Sequence, residues 1–372
     1  MVATAWSGRG RLEQLVAELN RQKTSKLDFV ADMRNLTIVN REKGLMLAPA
    51  DALAEEWLPA AGLPINAAAL PQFGGRCTPD VPTRFLRELV EANAPVAATL
   101  VNDLLQSDPK RHFIRTLDGR VRAFLSNSYR VLDNYDLAFA ALDVARQNGG
   151  EVIEASLSDT HMRIKFTTRA IYDMVVEARG GEGRHGFVGR DGEPPLPGGP
   201  GTVHPLVTIS NSETGHGGVN IACGILRAMC FNGSIIEGVQ SHIHLGGKLE
   251  TGVYTEETIA AESKVVMLKC RDAITAAFQP ERFEKLVKKI NGVAENRIER
   301  PAMALENVVA AGALTDEAHD AILSYFLSDY DRNAYGLAQA VSRYSQDVAD
   351  PDDAYGLEEL AGKVMVGAIA LK

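Results

Sequence analysis

The run HFIRTLDGRVRAFLS at residues 112–126 sets Asp118-Gly119 between two β-type segments. Asp-Gly supplies two residues that tolerate positive φ, as a two-residue hairpin turn requires. Downstream, Asn134 has the side chain to cap a helix over Tyr135–Gln147, and Asn148-Gly149-Gly150 stops it. EVIEASLSDTHMRIKFTT at 151–168 then reads as a second hairpin turning at Ser158–Asp159. Met162, Ile164 and Phe166 alternate with Arg163, Lys165 and Thr167, so one face of that strand enters a core and the other carries the cations. Hairpin, helix, hairpin makes an α+β fold on an antiparallel sheet.

The rest of the chain divides around this unit. Residues 1–75 form an N-terminal α/β extension, with a helix over Arg9–Lys23, a hairpin over Leu36–Leu47 and a helix over Ala50–Leu58. Residues 76–254 are the α+β core. It opens on a helix over Pro82–Leu105 and resumes as strands near Leu206–Ser210 and Val219–Cys223. Within it, residues 180–202 hold nine glycines and four prolines, a composition that builds no packed element and reads as a mobile loop. Residues 255–372 are mostly helical, with Asp350-Pro351-Asp352-Asp353 expected as a solvated loop before a last helix over Tyr355–Val366.

The charge is distributed unevenly. The formal net charge is −9, of which residues 316–372, with eleven acids against four bases, account for −7. Between Lys110 and Arg130 lie Lys110, Arg111, Arg115, Arg120, Arg122 and Arg130 against Asp118 alone. A second basic patch is Arg282, Lys285, Lys288 and Lys289. A locally basic stripe can bind a polyanion on an acidic protein, and long cations can equally cover a solvent face. There is no apolar run of membrane-spanning length and no secretory h-region at the N-terminus. Four cysteines without C-x-x-C spacing argue against a zinc ribbon or a disulfide scaffold. A cytoplasmic protein with no membrane partner is the expectation.

VTISNSETGHGG at 207–218 concentrates Ser210, Asn211, Ser212, Glu213, Thr214 and His216 beside three glycines. The plain reading is a turn with local side-chain hydrogen bonds. SNSETGHGG, ILRAMCFNG at 225–233 and SHIHLGG at 241–247 together resemble the phage- and plasmid-borne proteins collected as domain of unknown function 932. The matching positions are Ser210 to Glu213, then Arg227 with Cys230, Asn232 and Gly233, then His244. RAFLSNSYRVLDNYDL at 122–137 and the stretch 334–364 fit the same family. The resemblance runs from about Pro82 to Met365. It implies a mobile-element context and brings no catalytic residues.

Three functions follow as alternatives. The first is a non-enzymatic protein that binds or anneals single-stranded nucleic acid in replication or recombination, as a homo-oligomer. Arg111, Arg115, Arg120, Arg122, Arg130, Arg163 and Lys165 would contact phosphates, and Tyr129 would stack on a base. The second is a metal-assisted hydrolase or nuclease centred on Glu213, His216, His242 and His244, whose His-x-His spacing can set two imidazoles on one face of a strand. No H-E-x-x-H motif supports it, and no G-x-S-x-G elbow surrounds Ser212. The first alternative needs no cofactor; the second needs a divalent metal. The third is a host-interaction or anti-defence protein. No phosphate-binding P-loop is present.

Overall fold

The computed structural model describes residues 6–42, 44–50, 58–129, 131–175, 196–198, 201–228, 233–242, 256–295 and 297–371. Of 239–242, 256–260, 262 and 263 it describes the backbone alone. The chain opens with β1 (Gly8–Gly10), α1 (Leu12–Ser25), β2 (Phe29–Asp32), β3 (Leu36–Arg41), β4 (Gly44–Pro49), β5 (Leu63–Pro64), α2 (Leu70–Gly74) and α3 (Thr83–Ser107). β3 and β4 form the expected hairpin, closed by the pair Arg41 and Gly44, and β5 extends it to three strands. The helix expected over Ala50–Leu58 lies almost wholly outside the described residues.

β6 (Arg111–Leu117) and β7 (Arg120–Ser126) are the hairpin that Asp118-Gly119 demands. Asp118 has φ 51° and Gly119 φ 70°, both positive as a type I′ turn requires. β2 pairs with the other edge of β6, making a second three-stranded sheet. Met33, Leu36, Leu47, Phe73, Leu86, Ile114 and Phe124 pack between these two sheets and α3, so this core draws on both sides of residue 75. Phe73 stacks on Phe124 with ring centroids 4.1 Å apart.

The chain continues with α4 (Asn134–Gln147), β8 (Gly150–Leu157), β9 (Met162–Thr168), β10 (Asp173–Met174), β11 (Thr202–Asn211), β12 (Val219–Arg227) and β13 (Gly233–His242). Six helices follow: α5 (Glu256–Ala277), α6 (Pro280–Ala294), α7 (Pro301–Gly312), α8 (Asp316–Asp329), α9 (Ala334–Tyr344) and α10 (Pro351–Met365). The large sheet has strand order β1-β8-β9-β11-β12-β13, with β10 added on β11, and every pairing is antiparallel. An α+β architecture with a helical C-terminal third is what the hairpin-helix-hairpin pattern called for.

One face of this sheet packs on α1, α4 and α5 through Leu15, Leu137, Ala141, Ile164, Ile209 and Ile274. The opposite face is not solvated. Every residue of β9 is buried, including Arg163, Lys165 and Thr167, because α10 lies over it. The segment expected as a loop at Asp350–Asp353 starts that helix. Pro351 takes the first helical position, where its missing N–H costs nothing, and the Asp350 carboxylate accepts from the N–H groups of Asp352 and Asp353.

Gly362 lets α10 approach β13 at backbone distance, and a Cβ at that position would overlap the Ile235 carbonyl oxygen. Gly362→Ala must push the helix off the strand. The expected loss is about 1–3 kcal/mol, as for overpacking in a close-packed core, read as a lower urea midpoint at unchanged slope. A variant as stable as the parent would contradict this packing.

Candidate functional site

The segment that follows β11 is the junction of the molecule. Ser210 through Thr214 are all buried, although each is polar. Ser212 Oγ accepts from the His216 N–H at 3.0 Å and closes a turn. Gly215 takes φ 76° there, and a Cβ would strike the Leu125 side chain. Surrounding elements bind the turn. Tyr129 Oη donates to the Ser212 carbonyl at 2.9 Å, Arg115 Nη1 to the Glu213 carbonyl at 3.1 Å, and Gln72 Nε2 to the Thr214 carbonyl. Asn211 Nδ2 donates to the Leu132 carbonyl and to Asn134 Oδ1. His216 sits between Thr214 Oγ1 (3.1 Å from Nδ1) and the Ala68 carbonyl (3.1 Å from Nε2).

Glu213 is the charged centre of this junction. Its Oε1 accepts from Lys26 Nζ at 2.9 Å and from the Asn134 N–H at 2.6 Å, so this carboxylate caps α4 from 79 residues away. Sequence pointed to Asn134 as the cap; the helix instead begins at Asn134, and Asp133, in the cap position, makes no side-chain cap bond. A negative charge at a helix N-terminus is favourable. Arg122 Nη2 lies 2.7 Å from Glu213 Oε2, an ion pair by distance without the alignment of a hydrogen bond. Burial alone would raise the Glu213 carboxyl, but Arg122, Lys26 and Arg115 outweigh it and hold the group at about 2. Arg115, fully buried, donates to Asp28 at 2.8 Å and to Asp133 at 2.7 Å.

A second set of ion pairs joins the sheet to α10. Lys165 Nζ lies between Glu154 (2.7 Å) and Glu358 (2.6 Å), and Arg163 pairs with Asp352. Asp352 also receives Ser158 Oγ at 2.8 Å and lies 3.3 Å from His161 Nδ1. Burial pushes the Asp352 carboxyl up, yet its bonds to His161, Thr160 and Arg163 bring it far below the usual range.

Of the residues singled out for phosphate and base contact, Arg115, Arg122, Arg163 and Lys165 are therefore buried and neutralised by carboxylates of the same chain. A strand phosphate would have to displace those carboxylates to replace them as partners, although Arg122 also lines an open cleft and its Nε has no hydrogen-bond partner. Tyr129 is spent on Ser212 and lies beside Phe113, 6.4 Å between ring centroids, so it is no free stacking platform. Arg111 and Arg120 are exposed, and Arg130 lies outside the described residues. Arg227 is buried, with its guanidinium 5.7 Å from the Tyr330 ring centre. Asn232 and His244, the side chain of His242 and most of the Gly/Pro-rich segment lie outside the described residues. Among the described residues, no three His, Cys, Asp or Glu side chains gather as a metal would need. Glu213 and His216, proposed as ligands, already have protein partners.

Two features escaped the reading of the hairpin. One is a polar cleft of about 280 Å³ between α1, β7 and the β8–β9 turn, reaching Glu213. It is assembled from segments so far apart that no local pattern could announce it. The other is an open groove of about 530 Å³ between α6 and β13, rimmed by the second basic patch. There the signal was present in the spacing of Arg282, Lys285 and Lys289, which share one helical face. No described helix is long and apolar enough to cross a membrane.

Comparison with protein-family models, curated proteins and solved structures finds no match for this chain.

Several groups shape the acid limb of stability, His112 and Glu213 among them. Burial lowers the His112 imidazole to about 4, so its contribution is present above 6.5 and is lost as pH falls from 6.5 towards 4. Glu213, depressed from 4.5 to about 2, contributes above 4.5, and that contribution disappears between 4.5 and 2. Glu213→Gln should cost about 3–5 kcal/mol at neutral pH, because it strands buried cations. It should also flatten the stability profile below pH 4.5. Urea unfolding across a pH series checks both, and a neutral substitution would refute the central role of Glu213.

Proposed function

We propose that this chain binds single-stranded nucleic acid, without catalysing a reaction on it, along the groove between α6 and β13. The observation that carries this reading is a groove whose lining is apolar in part and cationic on balance. Ile236, Ala276 and Leu286 give the groove its apolar lining, and Arg282, Lys285 and Lys289 outnumber Glu237 and Glu281 along it, with exposed Lys288 beside them. Among the described residues, Lys285, Lys288 and Lys289 have no ion pair, and Arg282 meets Glu237. Unpaired bases expose apolar faces and one phosphate per nucleotide, and proteins that bind single strands combine a basic track with a surface for those faces. The buried arginines of β6 and β7 drop out of the contact set for a strand lying in this groove. Exposed Arg111 and Arg120 remain as outlying cations.

Strand annealing in the replication or recombination of a mobile element, and assembly into a homo-oligomer, extend this reading on the strength of the family resemblance. Nucleic-acid binding of this kind requires no metal. A metal-assisted reaction at Glu213 and His216 is the weaker reading, because both side chains are engaged by the protein itself.

Replacing Lys285, Lys288 and Lys289 together by Gln leaves the buried face of α6 intact. Fluorescence anisotropy with a labelled single strand should show weaker binding at low salt. Each lost phosphate contact reduces the slope of log K against log salt by about 0.7 for single strands, so the triple variant should flatten it by about 2. Unchanged affinity and slope would reject the groove as the contact surface.

A further inference from the structure

The cleft beside Glu213 has the composition of a small-ligand site, and it stands apart from the α6 groove. Its volume of about 280 Å³ is at the lower edge of the ~300–1,000 Å³ usual for such sites. That admits one compact polar molecule and excludes a dinucleotide. Its charges fall into two kinds. Glu18 and Asp118 share Arg21, at 2.7 Å and 2.6 Å, and Glu213 pairs with Lys26 and Arg122. Two arginines line the cleft with hydrogen-bonding capacity left over. Arg120 is exposed at the mouth and, among the described residues, has no ion pair. Arg122 is nine-tenths buried in the wall, and its Nε has no hydrogen-bond partner. A buried guanidinium nitrogen without an acceptor is costly unless a ligand supplies one.

The other walls favour an organic ligand over a bare anion. Asp159 meets one amide, Asn66 Nδ2 at 3.1 Å, which leaves acceptor capacity for a hydroxyl or amino group. Half-buried Trp6 offers the cleft an aromatic surface. An unpaired arginine beside one that keeps donor capacity, a carboxylate acceptor and an indole in one cavity match a phosphate, a sugar or base donor and a planar ring. We propose that the cleft binds a single nucleoside monophosphate. Its phosphate lies against Arg120 and Arg122, a ribose hydroxyl or base amino group donates to Asp159, and the base lies along Trp6. The same chemistry occurs in a free nucleotide and in the 5′-phosphorylated end of a strand.

Trp6 provides the readout. The chain has two tryptophans, at 6 and 57, so Trp57→Phe isolates the one at the cleft. Titration of that variant with adenosine and cytidine monophosphates should quench its fluorescence saturably. Inorganic phosphate should be at least tenfold weaker. Arg120→Glu, a change at an exposed residue, should weaken nucleotide binding at least tenfold at an unchanged melting temperature. The Lys285/Lys288/Lys289→Gln variant should bind the mononucleotides as the parent does, so failure of the α6 groove and failure of the cleft are separately visible. A 5′-phosphorylated oligonucleotide that quenches as well as the mononucleotide would identify a strand end as the source; one that does not would identify the free nucleotide. Absence of quenching by either mononucleotide, equal quenching by phosphate, or indifference to Arg120→Glu would overturn the proposal.

Discussion

A carboxylate that is 2 % exposed must find its compensation inside the protein, and Glu213 dictates where four distant segments meet. Lys26 comes from the end of α1, Arg122 from β7, the Asn134 N–H from the start of α4, and Arg115 from β6 binds the Glu213 main chain. Without that group the three-stranded sheet of β2, β6 and β7 would have far less to fix it against the large sheet. The polar residues around it serve the same junction: Ser212 shapes the turn, Thr214 meets the β8–β9 turn, and Gly215 provides the close approach to Leu125. The cleft lies against this junction, lined in part by Arg122, Asn134, Glu213 and Thr214.

The same logic divides the cations of the chain into two populations. The buried ones on β6, β7 and β9, namely Arg115, Arg122, Arg163 and Lys165, have partners: Asp28 and Asp133, Glu213, Glu154, Glu358 and Asp352. The acidic C-terminal segment supplies two of these, so part of its negative charge is spent on the polar face of the sheet. The lysines on α6 face solvent and, among the described residues, have no ion pair.

The local rules were legible in the sequence. Asp118-Gly119 gave its turn, the alternation of Met162, Ile164 and Phe166 found the core, and the stretch after residue 255 is mostly helical as its pattern indicates. What could not be read was the partner of each polar side chain. Arg163 and Lys165 alternate out of the first core, and nothing nearby shows that α10, almost 190 residues later, covers them. The Asp350–Asp353 run looked solvated because acids cluster there, yet an N-cap followed by proline is also how a helix begins. The polar run at 210–216 was conspicuous in sequence, but its role as a junction depends on contacts to residues 26, 72, 115, 122 and 134 that only the tertiary fold creates.

Lysine acylation read by mass spectrometry, with and without a single-stranded oligonucleotide, tests this division most directly. The account predicts that Lys285, Lys288 and Lys289 react in the free protein and are protected by the strand, whereas Lys165 is inert in both states. Reaction of Lys165 in the folded free protein, or protection by the strand that leaves the α6 lysines reactive, would contradict it.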